Sequence, residues 1–176
     1  MHDLIKLAKE AIALKFGRDF KVSEQLKQKY NSNNGIFVTL KIDNELRGCI
    51  GFISSQLPLY ESVIEASQNA AFDDPRFAPL TADEFQKINI EISILSPLRE
   101  IKSKNSTLIQ KEIVIGKHGL IIKKGINQGL LLPQVATEYK WDVDEFLKHT
   151  CEKAGLAPNT WKEDSFQANN CSIQRL

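Results

Sequence analysis

The chain has 176 residues, of which 42% are hydrophobic and 26% are charged, and its 23 Lys and Arg residues are balanced by 22 Asp and Glu residues. These values are those of an ordinary globular domain with a hydrophobic core of its own, and they argue against a disordered chain. A net charge of +1 lacks the basic excess that is typical of proteins dedicated to nucleic acids or to membrane surfaces, so neither is expected as a partner.

The cysteines and the amino terminus bear on the cellular compartment. Cys49, Cys151 and Cys171 lie far apart, are odd in number and lack metal-type spacing, which favours a reducing compartment over a disulfide framework. Charged residues interrupt the apolar ones in 1–16, so no secretory leader is predicted, and no membrane span is apparent. We therefore expect a cytoplasmic protein. Without CxxC, HxH or HExxH patterns, no metal or cofactor is predicted.

The first half of the chain shows two hydrophobic periods. Apolar residues spaced three and four apart, as in Leu4, Leu7 and Ala11, indicate amphipathic helices, whereas the alternation in 36–42 and 88–94 indicates strands with one buried face. Thr81 with Glu84 three residues later has the form of a capping box. The predicted helices lie at 4–16, 20–30, 59–72 and 81–87, and the predicted strands lie at 36–42, 46–53 and 88–94.

The second half of the chain continues the mixture of strands and helices. Asp142 and Glu145 are placed to cap a long helix that Gly155 ends. We predict a polar connection at 101–108, strands at 112–115, 120–123, 130–132 and from 165 onward, and helices at 133–139 and 142–154. The order of these elements indicates an α+β fold with mixed or antiparallel sheets and flanking helices. No Pro/Gly/Ser-rich linker separates its parts.

The stretch 46–51, Leu-Arg-Gly-Cys-Ile-Gly, is the main candidate site. Gly48 and Gly51 within a predicted strand indicate a bulge or a close approach by a ligand or another backbone, which makes both glycines candidates for ligand binding. Arg47 would share the face of Cys49 in a regular strand and would favour its thiolate, which is the reactive form. The alternative is that Cys49 is a small buried hydrophobe.

Glu91 lies on the polar face of the third predicted strand, together with Asn89 and Ser93. Such a carboxylate usually faces water. If this face lines a cleft, Glu91 becomes a candidate catalytic acid or base.

Other candidate residues lie in two turns. Asp74 and Arg76, around Pro75, could bind an anionic ligand or could staple the turn to the sheet. His118 lies in a glycine-flanked turn and is the best imidazole partner for a cysteine nucleophile, because His2 is close to the terminus and His149 falls on the polar side of its helix. The alternative for His118 is a turn residue bonded to local backbone.

Six motifs occur in order over almost the whole chain, and together they resemble one family. The motifs are GIFVTL from Gly35, LRGCIG from Leu46, DPRF from Asp74, GKHGL from Gly116, LLPQV from Leu131 and CEKAGL from Cys151. The sequence is similar to the AMME candidate-region family, known in prokaryotes as AmmeMemoRadiSam system protein A. The resemblance implies one intracellular α+β domain over 1–176 with two intimately joined subdomains, genes that accompany Memo-like and radical-SAM partners, and the LRGCIG hexapeptide as the functional core.

Two hypotheses for the function follow. In the first, the protein is an enzyme or enzyme component in which Cys49, helped by Arg47, His118 and Glu91, acts on a small molecule or a modified macromolecule beside a radical-SAM or Memo-like partner. In the second, it is a non-catalytic adaptor that uses the hexapeptide as a rigid recognition surface.

Overall fold

The computed structural model describes residues 3–101, 106–163 and 167–175. The chain divides into two compact units. The amino-terminal unit comprises the chain up to Leu95 together with a short segment from Gln174, and the carboxy-terminal unit comprises Ser96–Ile173. Each unit combines an antiparallel sheet with helices, which confirms the predicted α+β class.

The amino-terminal unit follows the predicted order of elements closely. A 3₁₀ turn at 14–16 extends the first helix, and Gly17 ends it with a left-handed φ of 77°. The elements are α1 (Asp3–Ala13), α2 (Glu24–Lys29), β1 (Gly35–Ile42), β2 (Glu45–Phe52), α3 (Leu59–Phe72), α4 (Ala82–Phe85) and β3 (Asn89–Leu95).

Strand β1 is the centre of the sheet in this unit, because it pairs antiparallel with β2 on one side and with β3 on the other. The alternation of its residues places Ile36, Val38 and Leu40 on one face, where all three are fully buried. Helices α1 and α3 cover that face. They contribute Leu4, Leu7, Ile12, Val63, Ala66 and Ala70 to the core.

The hairpin between β1 and β2 turns through two residues, Asp43 and Asn44, whose φ angles are 52° and 67°. Two consecutive positive φ angles define the tight hairpin turn whose twist matches that of the strands. The turn between the predicted strands 36–42 and 46–53 is therefore present, with Glu45 already in β2.

The carboxy-terminal unit contains β4 (Arg99–Ile101), α5 (Ser106–Lys111), β5 (His118–Lys124), β6 (Asn127–Leu131), α6 (Pro133–Glu138), α7 (Val143–Lys153) and β7 (Gln167–Arg175), with a 3₁₀ turn at Thr160–Lys162. Its sheet has the order β6-β5-β7-β4, and all neighbours are antiparallel. Its core gathers around the fully buried Phe146 and the nearly fully buried Trp161.

Two predictions in this unit were wrong. Residues 112–115 are not a strand, and the predicted polar connection at 101–108 contains the end of β4 and the start of α5, although 102–105 lie outside the described residues. Ile109 and Ile113 are both buried, and their four-residue spacing fits a helical turn better than a strand. Helices as short as α5 depend on packing against a core, which sequence periodicity does not reveal.

None of the described helices combines the length and the apolar character needed to cross a bilayer.

Both predicted capping boxes are present. Glu145 N–H donates to the Asp142 carboxylate at 2.8 Å, and Asp142 N–H donates to the Glu145 carboxylate at 3.1 Å. Thr81 and Glu84 make the equivalent pair at α4. Reciprocal bonds of this kind satisfy amide groups that a helix leaves unpaired in its first turn.

Substitution Asp142→Ala is expected to lower the free energy of unfolding of the carboxy-terminal unit by about 1 kcal/mol, because it removes the N-cap acceptor of α7. The two tryptophans of the chain, Trp141 and Trp161, both lie in this unit, so fluorescence during urea unfolding reports on it. Lys148→Ala, at an exposed position of the same helix, is the control, and it should change the value by less than about 0.5 kcal/mol. Equal effects of the two changes would contradict the role of the cap.

Candidate functional site

A row of three polar side chains crosses the sheet of the amino-terminal unit on the face opposite α1 and α3. Thr39 of β1 pairs with Cys49 of β2 on one side and with Glu91 of β3 on the other. Directly paired residues of neighbouring strands point to the same face, so Cys49, Thr39 and Glu91 form one line, which we call the polar row. The structure thus brings together two of the three predicted catalytic residues.

The polar row is half-buried and carries specific contacts. The Thr39 hydroxyl oxygen lies 3.3 Å from Cys49 Sγ. Lys41, two residues after Thr39 on the same face of β1, places Nζ 2.7 Å from Glu91 Oε1, and the two side chains are 28% and 32% exposed. A thiol, a hydroxyl, a carboxylate and an ammonium group therefore line one partly accessible surface.

The main chain of Cys49 is held from the open side of the sheet. Strand β2 is an edge strand, and the N–H and C=O of Cys49 point away from β1. Cys49 N–H donates to Asp74 Oδ2 at 2.8 Å, and Arg76 Nη2 donates to the Cys49 carbonyl oxygen at 3.0 Å. The turn after α3 thus satisfies groups that an edge strand otherwise exposes.

Asp74 and Arg76 form a close ion pair in that turn. Arg76 donates to both carboxylate oxygens of Asp74, at 2.9 and 2.7 Å, and Asp74 is only 3% exposed. The hydrogen bonds from the Arg76 side chain, joined by those from backbone N–H groups, hold the pKa of Asp74 well below its usual range, although burial acts in the opposite direction. These contacts match the predicted staple between turn and sheet. A role of the pair in ligand binding stays a prediction.

Arg47 is turned away from the thiol by a β-bulge. Leu40 pairs with Gly48 and Lys41 pairs with Leu46, which leaves Arg47 without a partner on β1. Such an extra residue re-aims its side chain, and the simple alternation that would align Arg47 with Cys49 does not hold here. The glycine signal therefore correctly indicated a bulge.

The guanidinium of Arg47 is bonded to α4 instead. Its Nε and Nη2 donate to the two carboxylate oxygens of Glu84 at 2.9 and 3.0 Å, and Nη2 also donates to the Ala78 carbonyl oxygen. The hydrogen bonds from Arg47, followed by that from the Thr81 N–H, lower the pKa of Glu84 to about 2. The charge of Arg47 is thus compensated by Glu84, and its expected effect on the Cys49 thiolate is correspondingly reduced.

The two glycines of the hexapeptide are required by the protein's own backbone. A Cβ atom on Gly48 would lie 2.1 Å from the carbonyl oxygen of Ala70 in α3, and a Cβ atom on Gly51 would lie 2.1 Å from that of Ile36 in β1. Both distances are far inside van der Waals contact. Close packing of strand, helix and neighbouring strand therefore accounts for Gly48 and Gly51, and a ligand at either position stays a prediction.

His118 belongs to the carboxy-terminal unit, where it is the first residue of β5. Its Nδ1 lies 3.3 Å from the backbone nitrogen of Val114 and 3.2 Å from the carbonyl oxygen of Glu112. These contacts fit the alternative of a turn residue bonded to local backbone. His149 stacks on Trp141, with ring centroids 4.1 Å apart, and His2 lies outside the described residues. In the described parts of the chain, no group of three or more metal-ligating side chains is placed to hold an ion.

Three residues of the site were not predicted from the sequence as site residues. Thr39 and Lys41 alternate with the buried residues of β1, so the strand pattern already placed them on the polar face, but nothing in it named their neighbours. Glu84 was identified as part of a capping box, and its second role as the partner of Arg47 spans 37 positions of the chain. Only tertiary contacts reveal such pairings.

The fold and the site define an α+β protein in which a turn after a helix fixes a glycine-rich edge strand and a polar row crosses the same sheet. A family model described as AMMECR1 matches residues 5–175. The chain belongs to the AMMECR1 family, which confirms the resemblance seen in its six motifs.

Relatives and a solved structure agree with this assignment. A protein of Aquifex aeolicus (strain VF5) is 47% identical over 166 residues, covering 93% of this chain and 85% of the relative. A Methanopyrus kandleri protein, MK0488, is 44% identical and covers 90% of this chain and 78% of its own length. The crystal structure of the uncharacterized protein PH0010 from Pyrococcus horikoshii is similar, with a TM-score of 0.88 and 38% identity, over 98% of this chain and 88% of that one.

Substitution Gly48→Ala is expected to lower the free energy of unfolding of the amino-terminal unit by about 3 kcal/mol, because the new methyl group would force β2 and α3 apart. Gly17→Ala in the same unit is the comparison. It meets no atom within 4 Å and bears only the strain of a positive φ, about 1 kcal/mol. Hydrogen exchange of the β1 and β2 amides measures both losses. A Gly48→Ala loss no larger than that of Gly17→Ala would contradict the close packing.

Substitution Asp74→Asn is expected to lower the free energy of unfolding of the same unit by about 2–4 kcal/mol at pH 7, because Arg76 loses its buried partner. The folded-state pKa of Asp74 lies below its unfolded value, so its contribution is present above about pH 4 and is lost as the pH falls. The difference between wild type and variant should therefore shrink on acidification from pH 6 towards pH 2.

Exposed Asp73 supplies the control, since Asp73→Asn should change the free energy of unfolding by less than about 0.5 kcal/mol at each pH. Hydrogen exchange of the β2 amides again provides the measurement, with the Cys49 amide as the most direct reporter. A difference between wild type and Asp74→Asn that stays constant with pH would rule out the carboxylate as its source.

Proposed function

We propose that the protein is an enzyme or an enzyme component that acts on a small molecule or a modified macromolecule bound over the polar row. The observation that carries this proposal is the alignment of Cys49, Thr39 and Glu91 on one half-buried face, with Lys41 beside Glu91. Groups that donate and accept protons at a partly dehydrated surface are what general acid–base chemistry requires.

In this proposal the residues have separate tasks. Glu91 holds or moves a proton, Cys49 contacts the reacting part of the ligand, and Lys41 balances the charge of the carboxylate. Asp74 and Arg76 are positioning residues, because they act on the main chain of Cys49. Radical-SAM and Memo-like proteins are proposed as partners that supply or consume the ligand. His118 is retained as a candidate for chemistry that involves the second unit.

A second candidate function is a non-catalytic adaptor that uses the hexapeptide as a rigid recognition surface. The observation that favours it is the immobilisation of this stretch: Arg47 and Asp74 anchor it through side chains, and Gly48 and Gly51 are in close contact with the backbone of the protein. A surface that is already ordered loses little conformational entropy when it binds.

Alkylation of native protein with iodoacetamide tests whether Cys49 of the polar row is an accessible thiol. Cys49 should be labelled without denaturant, whereas Cys151 should not, because it is fully buried and burial raises the pKa of its thiol. Mass spectrometry of tryptic peptides separates the two sites. Absence of labelling at Cys49 in the folded protein would overturn the proposed accessible thiol.

Two substitutions should change the labelling rate of Cys49 in opposite directions. Cys49 and Glu91 lie two strands apart, roughly 10 Å. Glu91→Gln leaves the Lys41 charge uncompensated and should raise the rate at pH 7 by roughly twofold to fivefold, and Lys41→Met should lower it by a similar factor. Glu65→Gln, at an exposed position of α3, should leave it unchanged. Changes of the same sign in both row variants would contradict the coupling.

The enzyme and the adaptor are separated by combining the full chain with purified radical-SAM and Memo-like proteins and measuring both binding and reaction products. An enzyme predicts that Glu91→Gln and Cys49→Ala abolish product formation while partner binding is retained. An adaptor predicts that these two variants lower partner binding and product formation together, and that Cys49→Ser is tolerated. Bulky residues at Gly48 or Gly51 are unsuitable here, because they disturb the fold itself.

A further inference from the structure

A groove of about 540 Å³ opens on the surface of the amino-terminal unit beside α1. The left-handed conformation of Gly17 reverses the chain, and Arg18 N–H then donates to the Ala13 carbonyl oxygen at 3.2 Å. The segment after the reversal therefore runs back along the exposed side of α1 and forms one wall of the groove. A volume of this size accommodates a single small organic molecule.

The floor of the groove is apolar. Phe85 and Ala13 are 3% and 5% exposed, and Phe20 is half-buried. The Phe85 ring also packs against the Phe16 ring, with centroids 5.3 Å apart, and this contact helps to fix its position. The half-buried Phe20 ring, beside the packed Phe85, therefore offers a surface for a flat apolar group.

The rim of the groove is charged, with an excess of cations. Lys6, Lys9 and Arg18 are exposed, and they face the carboxylates of Glu10 and Asp19. Lys6 Nζ lies 3.8 Å from Glu10 Oε1. Lys9 and Arg18 form no ion pair with a carboxylate in the described parts of the chain.

Lys9 is the cation most directly placed over the floor. Its Nζ lies 5.8 Å from the centroid of the Phe85 ring. A ligand in the groove would therefore bring an anionic group close to Lys9 and to the exposed guanidinium of Arg18 on the same rim.

We propose that this groove binds a small aromatic carboxylate. Its ring system rests against the half-buried Phe20 on the apolar floor, and its carboxylate lies between Lys9 and Arg18. The apolar floor excludes small hydrophilic anions as good ligands, because they would leave it uncovered, and the excess of cations on the rim favours an anionic over a cationic aromatic ligand. The combination of floor and rim thus selects the chemical class.

This site is independent of the polar row. The groove shares none of its lining residues with Cys49, Thr39 or Glu91. Helix α1 covers the apolar face of the sheet, and the polar row lies on the opposite face. Ligand binding at the groove therefore stands or fails separately from the proposed function.

Two matched probes test the proposal, 2-naphthoate and its neutral counterpart 2-naphthamide, each titrated into the full chain by calorimetry at low salt. The carboxylate should bind about tenfold more tightly than the amide, and this preference should fall as salt is raised, because the rim charges are exposed. Proton chemical shifts of the Phe20 and Phe85 rings should move with either probe. Equal affinities of the two probes, no binding of 2-naphthoate at millimolar concentration, or shifts confined to other rings would each overturn the proposal.

Variants then separate the rim from the floor. The double substitution Lys9→Met with Arg18→Met should reduce the preference for the carboxylate to less than about threefold. Lys15→Met, which removes an exposed cation of the same region that does not line the groove, should leave the preference unchanged. Phe20→Ala should weaken both probes alike. Thermal unfolding of each variant establishes that it is folded. An equal loss of preference in Lys15→Met would overturn the assignment to the groove.

Discussion

The buried carboxylate of Asp74 is the constraint on which the candidate site depends. A charge that is 3% exposed is costly to remove from water unless hydrogen bonds replace its hydration. Here the Arg76 side chain and the N–H of Cys49 replace it, and Arg76 then reaches on to the Cys49 carbonyl oxygen. Burial of the Asp74 carboxylate thereby restrains the position of β2, because any displacement of β2 at Cys49 would leave the carboxylate without one of its hydrogen-bond donors.

Close backbone packing adds a second restraint to the same strand. Gly48 allows α3 to approach β2 so nearly that a methyl group would not fit, and the bulge at Arg47 sends that side chain to Glu84 at the start of α4. Both features act on the edge of the sheet. The outer side of this edge strand is therefore held by a turn and a helix rather than by another strand, which is useful for presenting a side chain at a fixed place.

The two faces of this sheet serve different purposes. One face is fully apolar and binds α1 and α3 through the hydrophobic effect, while the other carries the polar row and the Lys41–Glu91 pair. A near-zero net charge conceals this local arrangement, as it conceals the cationic rim beside α1. Overall charge describes solubility and long-range steering, whereas recognition depends on where individual charges lie.

Local forces determined what could be read from the sequence alone. Alternation in β1, the capping boxes at Thr81 and Asp142, and the left-handed Gly17 each depend on residues a few positions apart, so their patterns specify elements directly. Cys49 and Glu91 were also placed on predicted strands, although the sequence did not show whether the two residues lie close together. Tertiary structure alone decided their alignment through Thr39, the pairing of Asp74 with Cys49 across 25 positions, and the departure of Arg47 from simple alternation. It also overrode the strand predicted at 112–115, because burial of Ile109 and Ile113 depends on a core that distant residues build.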